Sequence, residues 1–316
     1  MSTSTDDNSI STCANCCKGE DNSDSLKACT ACDLVRYCNA DCEKAHRPQH
    51  EKECKERAAE IRDELLFKPP PQADDCPICF LRLPLLHTGY MNEVLSPRIY
   101  VSCCGKIICS GCVLAPVYDE LGNKVDEKCP FCRIPVPTSE EEYIKRMKKR
   151  VELGDTNAIC NLGGYHCYGE YGCPVDYNKS LALFLQAGEL GHAPAFLSIG
   201  NAYGTGRGVK KDMAKARHYY ELAAVGGDGQ ARHNLGVLED NAGNVDRALK
   251  HYMIAVGAGF EKSLEHIKQL FMDGDATKDD YGKALRSYQA YLDEIKSDKR
   301  DKAASSDNRY RYTYWG

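Results

Sequence analysis

Residues 195–231 read AFLSIGNAYGTGRGVKKDMAKARHYYELAAVGGDGQA. Two stretches rich in small and apolar residues flank a glycine-rich turn, Gly204-Thr205-Gly206-Arg207-Gly208, and Gly226-Gly227 closes the unit. The pattern is helix, turn, helix, and it recurs. Lys179-Ser180, Lys215-Ala216, Arg247-Ala248 and Lys283-Ala284 follow one another at steps of 36, 32 and 36 residues, and Gly191, Gly227 and Gly259 at 36 and 32. A period of this length marks a repeat array. One helix pair cannot bury its apolar face alone, so neighbours stack into a solenoid. Gly200 and Ala224 leave room for close helix approach, and Tyr203 and Tyr219 fill between layers. The expected fold is therefore mainly α, with an α-solenoid of helix-turn-helix repeats over residues 140–296.

The pattern LG-x-x-Y-x-x-G-x-G-V … D-x-x-K-A is met by Ile199-Gly200, Tyr203, Gly206, Gly208-Val209, Asp212 and Lys215-Ala216. The units resemble Sel-one-like repeats, a class related to TPR repeats. The first has an altered turn, GEYGCPVD, the third a shortened one, DNAGNVD, and the fourth matches least. EEEYIKRMKKRVELGD reads as a half-unit cap, because Val151-Glu152-Leu153-Gly154 mirrors Gly188-Glu189-Leu190-Gly191. A solenoid of this kind presents a surface to protein partners. The Gly204–Gly208 run has the look of a phosphate loop, but it joins two helices and does not follow a strand. Cys160, Cys167 and Cys173 read as core and turn positions of the first repeat, since a free cysteine behaves as a small hydrophobe.

Working outward, the N-terminal part is dominated by sulfur. The chain has 19 cysteines, and 16 of them precede residue 133. No export signal is visible at the polar, acidic start, so a disulfide framework is disfavoured. Cysteines in C-x-x-C pairs then read as metal ligands. The first run is Cys13-x2-Cys16-x12-Cys29-x2-Cys32-x5-Cys38-x3-Cys42-x7-His50-x3-Cys54. These eight residues suffice for two closed tetrahedral zinc sites. Residues four apart, such as His50 and Cys54, share a helix face. Some 45 residues with few large apolar side chains need such a staple. This run resembles the MYND zinc finger across residues 13–54. The resemblance implies interleaved sites, one with Cys13, Cys16, Cys38 and Cys42, the other with Cys29, Cys32, His50 and Cys54. His46 stands one turn before His50 as an alternative ligand, or as an exposed helix residue. Cys17 is spare. The resemblance also implies binding of short proline-containing peptides.

The second run is Cys76-x2-Cys79-x23-Cys103-Cys104-x4-Cys109-x2-Cys112-x16-Cys129-x2-Cys132. It resembles a RING finger across residues 74–137. That implies Cys76, Cys79, Cys109 and Cys112 at one ion, and Cys103, Cys104, Cys129 and Cys132 at the other, about four ions per chain in all. The adjacent pair Cys103-Cys104 departs from the usual spacing. If one of the two does not ligate, His87 is the nearest substitute. Many RING fingers are ubiquitin ligases, which act without a nucleophile by orienting a charged conjugating enzyme. Ile78 and Pro130, between the paired cysteines, and Arg133, after the last, suit such contacts, a guanidinium being able to bridge two partners. They equally suit the plain role of shaping zinc knuckles. A bulky residue before the last pair is missing; Val113, Leu114 or Val117 are the candidates to replace it.

The rest bounds the function. Net charge is −5, with 28% charged and 42% hydrophobic residues, an ordinary composition that does not point to nucleic acid or a membrane surface. No apolar run is long enough to span a bilayer. Residues 1–12 and 297–316 read as disordered tails, and residues 55–73 as a charged helix ending in the proline-rich linker Lys68-Pro69-Pro70-Pro71-Gln72. The chain reads as an intracellular scaffold, cytoplasmic or nuclear, that binds proteins through zinc fingers and a solenoid. The alternative is a RING-type ligase whose solenoid recruits substrate.

Overall fold

A computed structural model describes residues 13–14, 26–32, 34–71, 73–84, 97–114 and 128–306. The chain divides into two compact units, residues 1–68 and 69–316.

In the first unit, β1 (Lys27–Ala28) pairs antiparallel with β2 (Arg36–Tyr37). Helix α1 (Ala40–Leu66) follows at once, and the Asn39 side chain caps it by accepting from the Cys42 N–H at 2.8 Å. Its exposed face is laced by Glu51–Lys55 and by Arg57 with Glu60 and Glu64. Only His50 and Leu66 of this helix are buried. The core beside it consists of Cys13, Cys29, Cys32 and Tyr37. Among the described residues, Leu26, Val35, Cys42 and Cys54 pack against it.

The second unit opens with a small module. β3 (Arg98–Val101) and β4 (Lys106–Cys109) form an antiparallel hairpin with Ile99 opposite Ile108, and α2 (Ser110–Leu114) follows. Cys76, Leu83, Ile108, Cys109 and Cys112 make its core.

The solenoid begins with the cap helix α3 (Glu140–Glu152) and continues as four pairs. These are α4 (Thr156–Tyr168) with α5 (Tyr177–Glu189), α6 (Ala193–Thr205) with α7 (Met213–Val225), α8 (Gly229–Asn241) with α9 (Val245–Gly257), and α10 (Glu261–Asp273) with α11 (Lys278–Ile295). Local chemistry sets the helix starts. Asp155, Asp176, Asp212 and Asp228 each accept the backbone N–H three residues on, at 2.7–3.2 Å. The small residues do what the pattern requires: a Cβ on Gly200 would meet the Tyr220 ring at 2.6 Å, and one on Gly236 the Tyr252 ring at 2.5 Å. Tyr203 stacks on Tyr219 at 5.6 Å.

One expectation needs correction. The sequence reads as a disordered tail from residue 297, but Asp298–Ser306 form helix α12. The helix is held because Arg300 and Ala303 are buried, and because its backbone lies on α2. Gly111 makes that approach feasible, since a side chain there would meet the backbone of Lys299 and Arg300 at 2.7 Å. Residues 307–316 lie outside the described residues.

The small module rests on the solenoid. Tyr100 donates to the Asp155 carboxylate at 2.8 Å. The Arg82 guanidinium lies 5.1 Å over the Tyr291 ring and pairs with Glu294. Pro71 reaches within 3.3 Å of the Cβ position of Gly227. Gly105, in the left-handed region at φ +70°, passes so near Arg150 and Asp155 that a side chain would meet Asp155 at 2.5 Å.

Candidate metal centres

In the first unit, the β1–β2 turn presents Cys29 and Cys32, while α1 presents His50 and Cys54 one turn apart. Their ligating atoms all lie within 4.8 Å of one another. The Cys29 and Cys54 sulfurs are 3.7 Å apart, and Cys32 Sγ lies 3.0 Å from His50 Nε2. Cys13, Cys38 and Cys42 gather in a second group, with 3.5 Å between the last two sulfurs. Cys16, the fourth residue expected there, lies outside the described residues, as do Cys17 and His87. His46 is engaged elsewhere, its Nδ1 3.1 Å from the Tyr37 hydroxyl.

In the second unit, Cys76, Cys79, Cys109 and Cys112 form one group, and Cys103, Cys104, Cys129 and Cys132 another. Sulfur–sulfur separations are 3.8 Å for Cys79–Cys109, 3.8 Å for Cys104–Cys129 and 3.3 Å for Cys103–Cys132. A zinc ion with bonds of about 2.3 Å to four sulfurs in a tetrahedron sets its sulfurs about 3.8 Å apart. The donor sets therefore fit zinc.

The two paired-cysteine turns of this module share one geometry. Cys76 N–H donates to Leu81 O and Phe80 N–H to Cys76 O; in the same register Cys129 N–H donates to Ile134 O and Arg133 N–H to Cys129 O. Each turn ends on a left-handed residue, Phe80 at φ +56° and Arg133 at φ +63°. Neither is glycine, so the conformation costs energy that the turn must repay. The amides of Phe131 and Cys132 point at Cys129 Sγ from 3.4 Å. Crowding shifts the thiols of the Cys76 group in opposite directions. A hydrogen bond from Cys109 pulls the Cys76 thiol down to about 4, and the same bond pushes Cys109 up. Burial, with the charge of Cys76, pushes Cys112 up to about 12. Four crowded sulfurs hold their negative charge together only around a dication.

Ile78 packs on the cysteine core, Pro130 is half-buried and Arg133 is exposed. Val113 packs on the same core, Leu114 ends α2, and Val117 lies outside the described residues. Cys160 and Cys173 belong to apolar clusters of the solenoid. Of the Gly204–Gly208 run, Gly204 and Thr205 end α6 and the rest belongs to the turn towards α7. Sequence reasoning missed Arg300, which reaches the Cys79 sulfur at 3.9 Å. A signal was available in Ser297, whose hydroxyl accepts the Arg300 N–H at 3.3 Å at the start of α12.

The MYND finger model matches residues 13–54, and the Sel1 repeat model matches residues 156–192 and 196–228. Among known proteins, chitin synthase regulatory factor 4 of Schizosaccharomyces pombe is 31% identical over 138 residues, 43% of this chain and 22% of that protein. The ERAD-associated E3 ubiquitin-protein ligase component HRD3B of Arabidopsis thaliana is 31% identical over 113 residues, 35% of this chain and 18% of that protein. The chain thus spans about a fifth of the length of these relatives. Among solved structures, a Sel1 repeat protein from Oxalobacter formigenes matches at 25% identity and a TM-score of 0.41, over 52% of this chain and 64% of that one. The protective antigen c5321 of uropathogenic Escherichia coli matches at 26% identity and 0.41, over 51% of this chain and 35% of that one. The fold is mainly helical, with a cysteine-rich N-terminal module and a Sel1-type solenoid. The MYND finger match and the cysteine groups indicate zinc binding. Among the described residues no helix is long and apolar enough to cross a membrane.

Proposed function

We propose that this chain is a protein-binding scaffold, cytoplasmic or nuclear, with about four structural zinc ions, one for each closed set of four ligands. Residues 13–54 form the MYND finger, residues 74–137 a RING-like module, and residues 140–296 the solenoid that holds protein partners. The convergence of ligating atoms within 4.8 Å in each cysteine group supports this reading. Cys16 completes the group of Cys13, Cys38 and Cys42, and both Cys103 and Cys104 ligate. Metal analysis of the purified protein is expected to return about four zinc ions per chain. A count near two would mean that only one module binds metal.

A ubiquitin ligase is the second reading. The exposed Arg133 at the end of one paired-cysteine turn and Ile78 within the other favour it. Against it, α12 of the same chain covers α2, the helix that carries Val113 and Leu114. A panel of ubiquitin-conjugating enzymes separates the readings. A ligase forms ubiquitin chains with at least one of them, and Arg133→Ala removes most of that activity while zinc stays bound. A blank panel with zinc retained leaves the scaffold.

A further inference from the structure

Arg300 is fully buried. Its Nη1 donates to Ile295 O at 2.6 Å and to Arg82 O at 2.8 Å, and its Nη2 to Leu81 O at 3.3 Å and towards Cys79 Sγ at 3.9 Å. One guanidinium thus grips the turn that follows the Cys76–Cys79 pair. The backbone of the same residue sits against Gly111, the neighbour of Cys112. Helix α12 therefore touches both halves of one cysteine group, through its side chain on one half and its main chain on the other.

Burying a guanidinium is costly unless charge and hydrogen bonds compensate it. The three carbonyls supply hydrogen bonds but no net charge. A zinc ion with four thiolates carries a net charge of −2, and a sulfur of that group is the anionic atom in the Arg300 contacts. With the metal gone, nothing ties the turn that Arg300 grips to the Gly111–Cys112 segment against which its backbone lies.

We infer that Arg300 is a positioning residue for the Cys76/Cys79/Cys109/Cys112 centre, offsetting its negative charge and thereby tying metal occupancy to the docking of α12. The inference rests on the reading that this group holds zinc. Linkage makes the effect reciprocal: metal tightens the helix, and the docked helix tightens metal.

The test uses the full zinc-loaded chain, with Arg300→Met to remove the charge at similar volume and Arg300→Lys to retain it. A zinc chelator is titrated in while thiol alkylation is followed peptide by peptide by mass spectrometry. Amide hydrogen exchange of residues 298–306 is measured with and without metal. In Arg300→Met the Cys76/Cys79/Cys109/Cys112 sulfurs are expected to open at roughly tenfold less chelator, the scale of outer partners of metal ligands. Cys103, Cys104, Cys129 and Cys132 keep the wild-type midpoint, and Arg300→Lys recovers part of the loss. In the wild type, removing metal speeds exchange in α12. An equal shift at both groups, no shift at either, or α12 amides equally protected with and without metal overturns the inference. Failure of the zinc reading looks different: the wild-type sulfurs of this group then alkylate at full rate before any chelator is added.

Discussion

The two cysteine-rich modules are built from the same donor chemistry but rest on different supports. Residues 13–54 belong to a unit that ends at Lys68, and their core is Cys13, Cys29, Cys32 and Tyr37. Residues 74–137 add Leu83 and Ile108 to their sulfurs and share a unit with the solenoid. Tyr100, Arg82, Pro71 and Gly111 all meet solenoid residues or α12. If both modules hold zinc, the first is expected to lean on metal more heavily than the second, which also has solenoid contacts.

Chelation tests that contrast most severely. A structural zinc ion supplies on the order of 10–16 kcal/mol of apparent binding energy at neutral pH. Removing it is expected to expose every amide of residues 26–54 to fast exchange. Residues 98–109 should loosen less, because the hairpin keeps its solenoid contacts, and the far-ultraviolet helical signal of residues 140–295 should persist. Equal and complete loss of protection in both modules would break the comparison.

Acid probes the support itself. The third repeat places polar residues where the second is aromatic: Arg232 stands 36 residues after Phe196, and His251 32 residues after Tyr219. Burial holds His251 down to about 4, aided by the charge of Arg232, with Arg217 and Arg247 adding to it and Glu239 opposing. Burial likewise holds His233 to about 4, helped by His266 and Lys262. Both folded values lie below the ordinary value of about 6.5, so the unfolded chain binds the extra protons. The stability due to these neutral histidines is full above pH 6.5 and is lost as pH falls towards 4. The cost is on the order of 3 kcal/mol for each. Urea unfolding of the metal-free chain between pH 7 and 4.5 should show it, and His251→Gln should flatten the slope.

The smallest expected effect sharpens the contrast at one bond. Tyr100→Phe removes the hydrogen bond to Asp155 and leaves that carboxylate with one partner fewer. It should destabilise the second unit by about 1–3 kcal/mol. Exchange in residues 26–54 should not change, and a change there would mean the two modules lean on each other.

Much of this molecule is legible in its sequence. The 36- and 32-residue steps gave the helix pairs, because the same small residues recur wherever Gly200 and Gly236 let tyrosines close in. The cysteine spacings gave candidate ligands, because two sulfurs on a tight turn can reach one ion. The C-terminal end was misjudged, because α12 is polar by composition and stabilised mainly by contacts elsewhere in the chain.

The sequence by itself determined the repeat period, the helix caps and the kinds of metal ligand, all of which depend on residues close together along the chain. Tertiary structure alone decided that the second module lies against the solenoid, with Tyr100 on Asp155. It also decided the fate of Arg300, whose partner Leu81 is 219 residues away. A contact across that separation leaves no local pattern, since its energy comes from burial and charge that exist only once the chain has closed on itself.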